Sequence, residues 1–113
     1  MMSYALSSVD VLARKPGGVN GVHRLKTLPA FYAKIVTGEK TFEIRQHDRP
    51  YAVGDLLVLE EWSPDSGYTW REEHRFVTYI TDYAQQPGYV VMGLKNLDEL
   101  PMLAERIDAE VKP

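Results

Sequence analysis

The sequence predicts an α+β, mostly β domain: a small, partly open β-barrel of about five strands, with a helix after the first strand and a C-terminal helix. Three observations predict it. Short segments of alternating or continuous apolar residues recur between turns rich in Gly and Pro, which is strand patterning. A single stretch, "TLPAFYAKIVTGEK", switches to helical spacing before the strands resume. The chain has 113 residues of which 44% are hydrophobic, enough for one modest core and too few strands for a sandwich.

Residues 1–22 have weak periodicity and end among Pro16, Gly17, Gly18 and Gly21, so they read as a loosely ordered arm. Residues 23–28, "HRLKTL", form a short strand. Pro29 then suits a first helical turn, and Gly38 supplies a left-handed cap at the helix end. The i,i+4 pairs Phe31/Ile35 and Tyr32/Val36 predict the buried stripe of that helix. "KTFEIRQ" alternates, which points Phe42 and Ile44 inward and Thr41, Glu43 and Arg45 to the other side. After the turn-rich "HDRPYAVGD" come a strand at 56–62, a hairpin loop "SPDSGY", and a long antiparallel strand at 69–83. "AQQPG" turns into the last strand at 89–96. Asp98 caps an amphipathic helix carrying Leu100, Leu103, Ile107 and Val111 on one face. The expected organisation is an arm at 1–22, a barrel domain at 23–97 and a covering helix at 98–113, with contact between two copies as the helix's alternative role.

Several function classes fall away on composition. The chain has no cysteine, which excludes disulfide scaffolds, Cys-based zinc sites and thiol nucleophiles. His23, His47 and His74 are scattered, so no metal site is expected. No Gly-rich phosphate loop and no Ser/His/Asp arrangement is present, and no cofactor is implied. No run approaches the roughly 18 apolar residues of a membrane helix, and the N-terminus lacks a signal-peptide core; the expectation is a cytoplasmic protein without a membrane partner. The net charge of −3 argues against coating nucleic acid by bulk electrostatics. Residues 23–49 nevertheless hold Arg24, Lys26, Lys34, Lys40, Arg45 and Arg49 against Glu39, Glu43 and Asp48, a local +3 that suits one anionic or polar ligand.

The chemistry concentrates in "GEKTFEIR", Gly38 to Arg45. A backbone bulge after Gly38 would bring the Lys40 ammonium beside Glu43 and Arg45, whereas strict alternation would leave it with Phe42 and Ile44. Lys40 could act as a base or nucleophile if desolvated, or as an anion contact if paired with a carboxylate. Glu43 could accept from an exocyclic amine or activate a water, and the planar Arg45 suits phosphate or a carbonyl edge. The plainer alternative is a solvated strand face with ion pairs worth under about 1 kcal/mol each. Lys26 on the first strand could join the cleft. Arg49 and Asp48 could contact ligand or simply fix their turn. Gly54 and Asp55 read as structural, the glycine for a positive φ and the aspartate as acceptor for nearby amides. Of the aromatics, Tyr89 after Gly88 is the preferred platform for a stacked base.

The run Gly38-Glu39-Lys40-Thr41-Phe42-Glu43-Ile44-Arg45, followed by Val53-Gly54-Asp55, resembles the ASCH domain of the PUA-like β-barrel superfamily. Gly67-Tyr68 and Gly88-Tyr89-Val90-Val91 extend the resemblance from about residue 23 to 94, and the whole is similar to a short, functionally uncharacterised branch common in phage and bacteria. The resemblance implies RNA or modified-nucleotide binding in a cleft between barrel and first helix. One ASCH subgroup hydrolyses the amide of N4-acetylcytidine with a lysine at the position of Lys40. That subgroup has a threonine where Glu43 stands, and takes its acidic partner from a helical insertion before the last strand, where "DYAQQPG" is too short to supply one.

The functional expectation is therefore recognition of RNA, a nucleotide or a nucleoside by Lys26, Lys40, Glu43, Arg45 and Arg49, with Tyr89 for stacking. The alternative is a hydrolase in which Lys40 and Glu43 are catalytic, either an amidohydrolase of N4-acylated cytidines or a ribonuclease. A third reading is a host-directed interaction protein of mobile-element origin, hinted at by the acidic C-terminal helix.

Overall fold

A computed structural model describes residues 21–99 of the chain. The elements run β1 (Val22–Thr27), α1 (Pro29–Thr37), β2 (Phe42–Gln46), β3 (Leu56–Ser63), β4 (Gly67–Thr81) and β5 (Tyr89–Asn96), ending in a 3-10 turn at Leu97–Glu99. The predicted arm and C-terminal helix otherwise lie outside the described residues, although β1 begins at Val22, one residue inside the predicted arm. No helix among the described residues is long and apolar enough to cross a membrane.

The five strands form one curled sheet, a half-barrel, in the order β1-β3-β4-β5-β2. Only β1 and β3 run parallel, with α1 and β2 in the crossover between them. The remaining pairs are antiparallel: β3–β4 and β4–β5 are joined by hairpin turns, and β2 adds to the free edge of β5. Since β1 and β2 are the two ends of the order, the half-barrel is open along the seam where they approach each other.

The concave side holds the core: Leu25, Leu57, Leu59, Val77, Val90 and Met92, closed at one end by Ile35 of α1. Helix α1 starts and stops as its sequence dictates. Leu28 is the N-cap with Pro29 behind it, and Gly38 takes φ 83° and donates its N–H to the Ile35 carbonyl. Arg75 Nη2 reaches the same carbonyl from β4 at 2.9 Å, so a side chain from the sheet completes the cap.

Two predicted faces are corrected. In α1 the buried residues are Tyr32 and Ile35, an i,i+3 pair, while Phe31 and Val36 face solvent. A nine-residue helix at the end of a half-barrel has a narrow contact, and only one residue per turn meets the core. In β2 the phase is opposite to the expectation. Phe42 is 40% and Ile44 51% exposed, whereas Glu43 is 3% exposed and pairs with the buried Met92. The strand sits at the end of the sheet with its outer face uncovered, and its inner face carries charge because that charge is neutralised in place.

Candidate functional site

The site is built from the Gly38 turn outward. Beyond the cap, the Lys40 N–H donates to the Lys34 carbonyl, which folds the chain back before β2 begins at Phe42. That irregular entry frees Lys40 from strand alternation. Its ammonium donates to Glu43 Oε2 at 2.5 Å and to the Phe42 carbonyl at 2.7 Å. It also lies 5.0 Å from the Phe42 ring centre and 5.7 Å from that of Phe31, within cation–π range. Arg45 approaches Glu43 from the other side, Nε to Oε1 at 3.2 Å. Each carboxylate oxygen thus has its own cation, which offsets the cost of burying Glu43.

Arg45 also crosses the seam. Its Nη2 donates to the Lys26 carbonyl at 2.9 Å and lies 3.4 Å from Thr27 Oγ1 on β1. Arg49 makes a longer contact of the same kind with the Arg24 carbonyl, 3.4 Å, while pairing loosely with Asp48 at 3.8 Å. Guanidinium groups, rather than a backbone ladder, tie the two edges of the half-barrel together. An edge carbonyl that a neighbouring strand would have used is satisfied by a side chain.

Two adjoining cavities follow this seam. The first, about 480 Å³, lies between α1 and β2 and is lined by Lys26, Leu28, Phe31, Lys40, Phe42, Glu43, Ile44 and Arg45. Its walls are largely apolar, with Lys40, Glu43 and Arg45 converging at the polar end. The second, about 410 Å³, shares Lys26 and Arg45 and continues past Arg24, Arg49, Tyr51 and Tyr68. Burial pushes the Tyr51 phenol above its usual range, with Arg49 and Arg45 opposing, so it presents a neutral hydroxyl.

Lys26, Lys40, Glu43, Arg45 and Arg49 are therefore brought together. Tyr89 is not. It pairs with Gln46 on the outer face of β5 and lines neither cavity, because the phase that turns Val90 and Met92 inward turns Tyr89 out. The aromatic ring that does face the first cavity from the helix is Phe31, whose i,i+4 spacing predicts a core position. The helical i,i+4 pattern could not signal that its partner face was a cleft.

Other buried polar groups are structural. Asp55 Oδ2 accepts from the Ala52 amide at 2.9 Å and lies 2.7 Å from His23 Nε2, fixing the loop before β3; Gly54 takes φ 98° beside it. Both glycine and aspartate behave as expected from sequence, whereas the buried His23 partner was not foreseen. Among the described residues, no group of three or more His, Cys, Asp or Glu is placed to hold a metal ion.

A family model described as a domain of unknown function, DUF3850, matches residues 22–94, the span from the start of β1 into β5. The chain belongs to that family. The DUF3850 match covers every element described above except the last two residues of β5 and the final turn. The chain is also similar to an uncharacterized 12.9 kDa protein in the GpA 3' region of Escherichia phage P2, 33% identical over 61 residues. That similarity spans 54% of this chain and 55% of the phage protein, about half the length of each.

Proposed function

We propose that this DUF3850 domain recognises RNA or a modified nucleotide, with one base held in the cleft between α1 and β2. The observation that carries the reading is Glu43: a carboxylate 3% exposed, clamped by Lys40 and Arg45 at the polar end of a cavity of about 480 Å³. Ligand sites of this size are typically apolar with a few converging polar groups, and a nucleobase fits that description. Phe31 and Phe42 offer flat apolar surface, Glu43 an acceptor for an exocyclic amine, and Lys40 and Arg45 donors for a carbonyl edge or a phosphate. The resemblance of the Gly38–Arg45 run to ASCH domains supports the same reading.

A hydrolase is less well supported. Lys40 Nζ already bonds the Phe42 carbonyl and the Glu43 carboxylate, and its remaining direction suits donation to a ligand. Among the described residues lining the cleft, no second carboxylate is present to activate water while Glu43 holds its two cations.

Calorimetric titration with short RNAs, cytidine and N4-acetylcytidine tests the proposal, with chromatography to detect any turnover. Wild type is expected to bind at least one of them without consuming it, and Lys40→Ala and Glu43→Gln to weaken binding about tenfold or more, the effect of losing a charged hydrogen bond. Binding that both variants retain in full would overturn it. Lys40-dependent loss of the acetyl group would establish the hydrolase instead.

A further inference from the structure

The hairpin joining β3 and β4 holds a device that the cleft does not use. Between the paired positions Glu60↔Glu72 and Trp62↔Tyr68, β3 contributes only Glu61 while β4 contributes Thr69, Trp70 and Arg71. The extra residues form a bulge, and at its centre Trp70 has φ 72°. That conformation belongs to glycine in comparable bulges, and a bulky residue in it is a genuine outlier. It is held there from both sides. Glu61 Oε1 accepts from Thr69 Oγ1 at 2.8 Å and from Arg71 Nε at 2.9 Å, so the neighbours of Trp70 are anchored to one buried carboxylate. The outcome is that Trp70 is 85% exposed, with its indole stacked on Tyr68 at 5.5 Å between ring centres.

Tyr68 in turn lines the second cavity beside Lys26 and Arg49. Lys26 has no carboxylate partner among the described residues and stands 4.5 Å over the Trp62 ring. A stacked aromatic pair bordering cations is the composition of a single-stranded nucleic-acid track, in which bases stack and phosphates meet positive charge. Resting on the cleft reading above, we infer that the Tyr68–Trp70 pair is a second base-stacking platform, and that the ligand is a single-stranded oligonucleotide running from the cleft across Lys26 and Arg49 to the hairpin.

The chain has two tryptophans, so Trp62→Phe leaves Trp70 as the sole indole reporter. The full chain carrying it is titrated with an eight-nucleotide oligoadenylate and with cytidine monophosphate, alongside Trp70→Gly in the wild-type background. The oligomer is expected to quench Trp70 emission, and Trp70→Gly to weaken oligomer binding about 5- to 150-fold while leaving mononucleotide affinity unchanged. Because glycine relieves the positive φ, Trp70→Gly should also unfold at the same or a higher temperature, which separates loss of a platform from loss of fold. If Trp70→Gly binds the oligomer normally while Glu43→Gln does not, the platform is wrong and the cleft stands. If wild type binds neither probe, the cleft reading and the platform fail together. Trp70-dependent self-association without nucleic-acid binding would assign the hairpin to protein contact and overturn the inference.

Discussion

Glu43 and Glu61 are both buried carboxylates, and their surroundings separate their roles. Glu43 opens onto a cavity and shares its cations with that space. Glu61 is spent inside the hairpin bulge, where the Thr69 hydroxyl first, and then the Arg71 guanidinium, hold its carboxyl below the ordinary glutamate range. A native pKa below the unfolded one stabilises the fold while Glu61 is ionised. The contribution is therefore present above the unfolded value of about 4.3 and is lost as pH falls through the lower native value. Thermal unfolding followed from pH 7 to 3 should show Glu61→Gln to be less stable than wild type at neutral pH, with the difference shrinking in acid. A difference that does not vary with pH would place the Glu61 contribution outside its charge.

The elements were legible wherever a single residue type forces a backbone state. Pro29 and Gly38 bracket α1 as the sequence predicts, and the φ of 83° at Gly38 is the reason. A Cβ at Gly38 would meet nothing within 4 Å, so Gly38→Ala introduces backbone strain alone. It should cost about 1 kcal/mol, measured by urea unfolding, without altering ligand affinity. The face presented by an element was not legible in the same way. Alternation in "KTFEIRQ" fixes two faces but not which is inside, and hydrophobicity chose Phe42 and Ile44. The choice failed because β2 ends the sheet, and the inner side of its seam needs side chains that can bridge to β1. Phe31 and Val36 failed for a related reason, as a helix capping an open barrel buries less than one packed along a sheet. The bulge at Trp70 had no glycine to announce it, so residues 69–83 read as a smooth strand.

At the scale of the molecule, the half-barrel is left open along one line, and the local positive charge gathers on that line. Arg45 of β2 and Arg49 of the loop after it reach β1 through side chains, so the seam is closed enough to be ordered and open enough to hold two adjoining cavities. Five of the six candidate site residues stood out in the sequence because they cluster between residues 23 and 49, whereas Tyr89 was misplaced; their assembly was not legible, since it needs the parallel pairing of β1 with β3 that leaves β2 on the far edge. The proposed recognition requires that ligand enter this seam. The most direct measurement is two-dimensional amide NMR of the uniformly labelled chain during titration with short single-stranded RNA. Perturbations are expected to concentrate at residues 26–31 and 40–46, with little change in the β4–β5 turn at 82–88. Perturbations confined to the outer face around Tyr79 and Tyr89, or none at all, would contradict the proposed recognition.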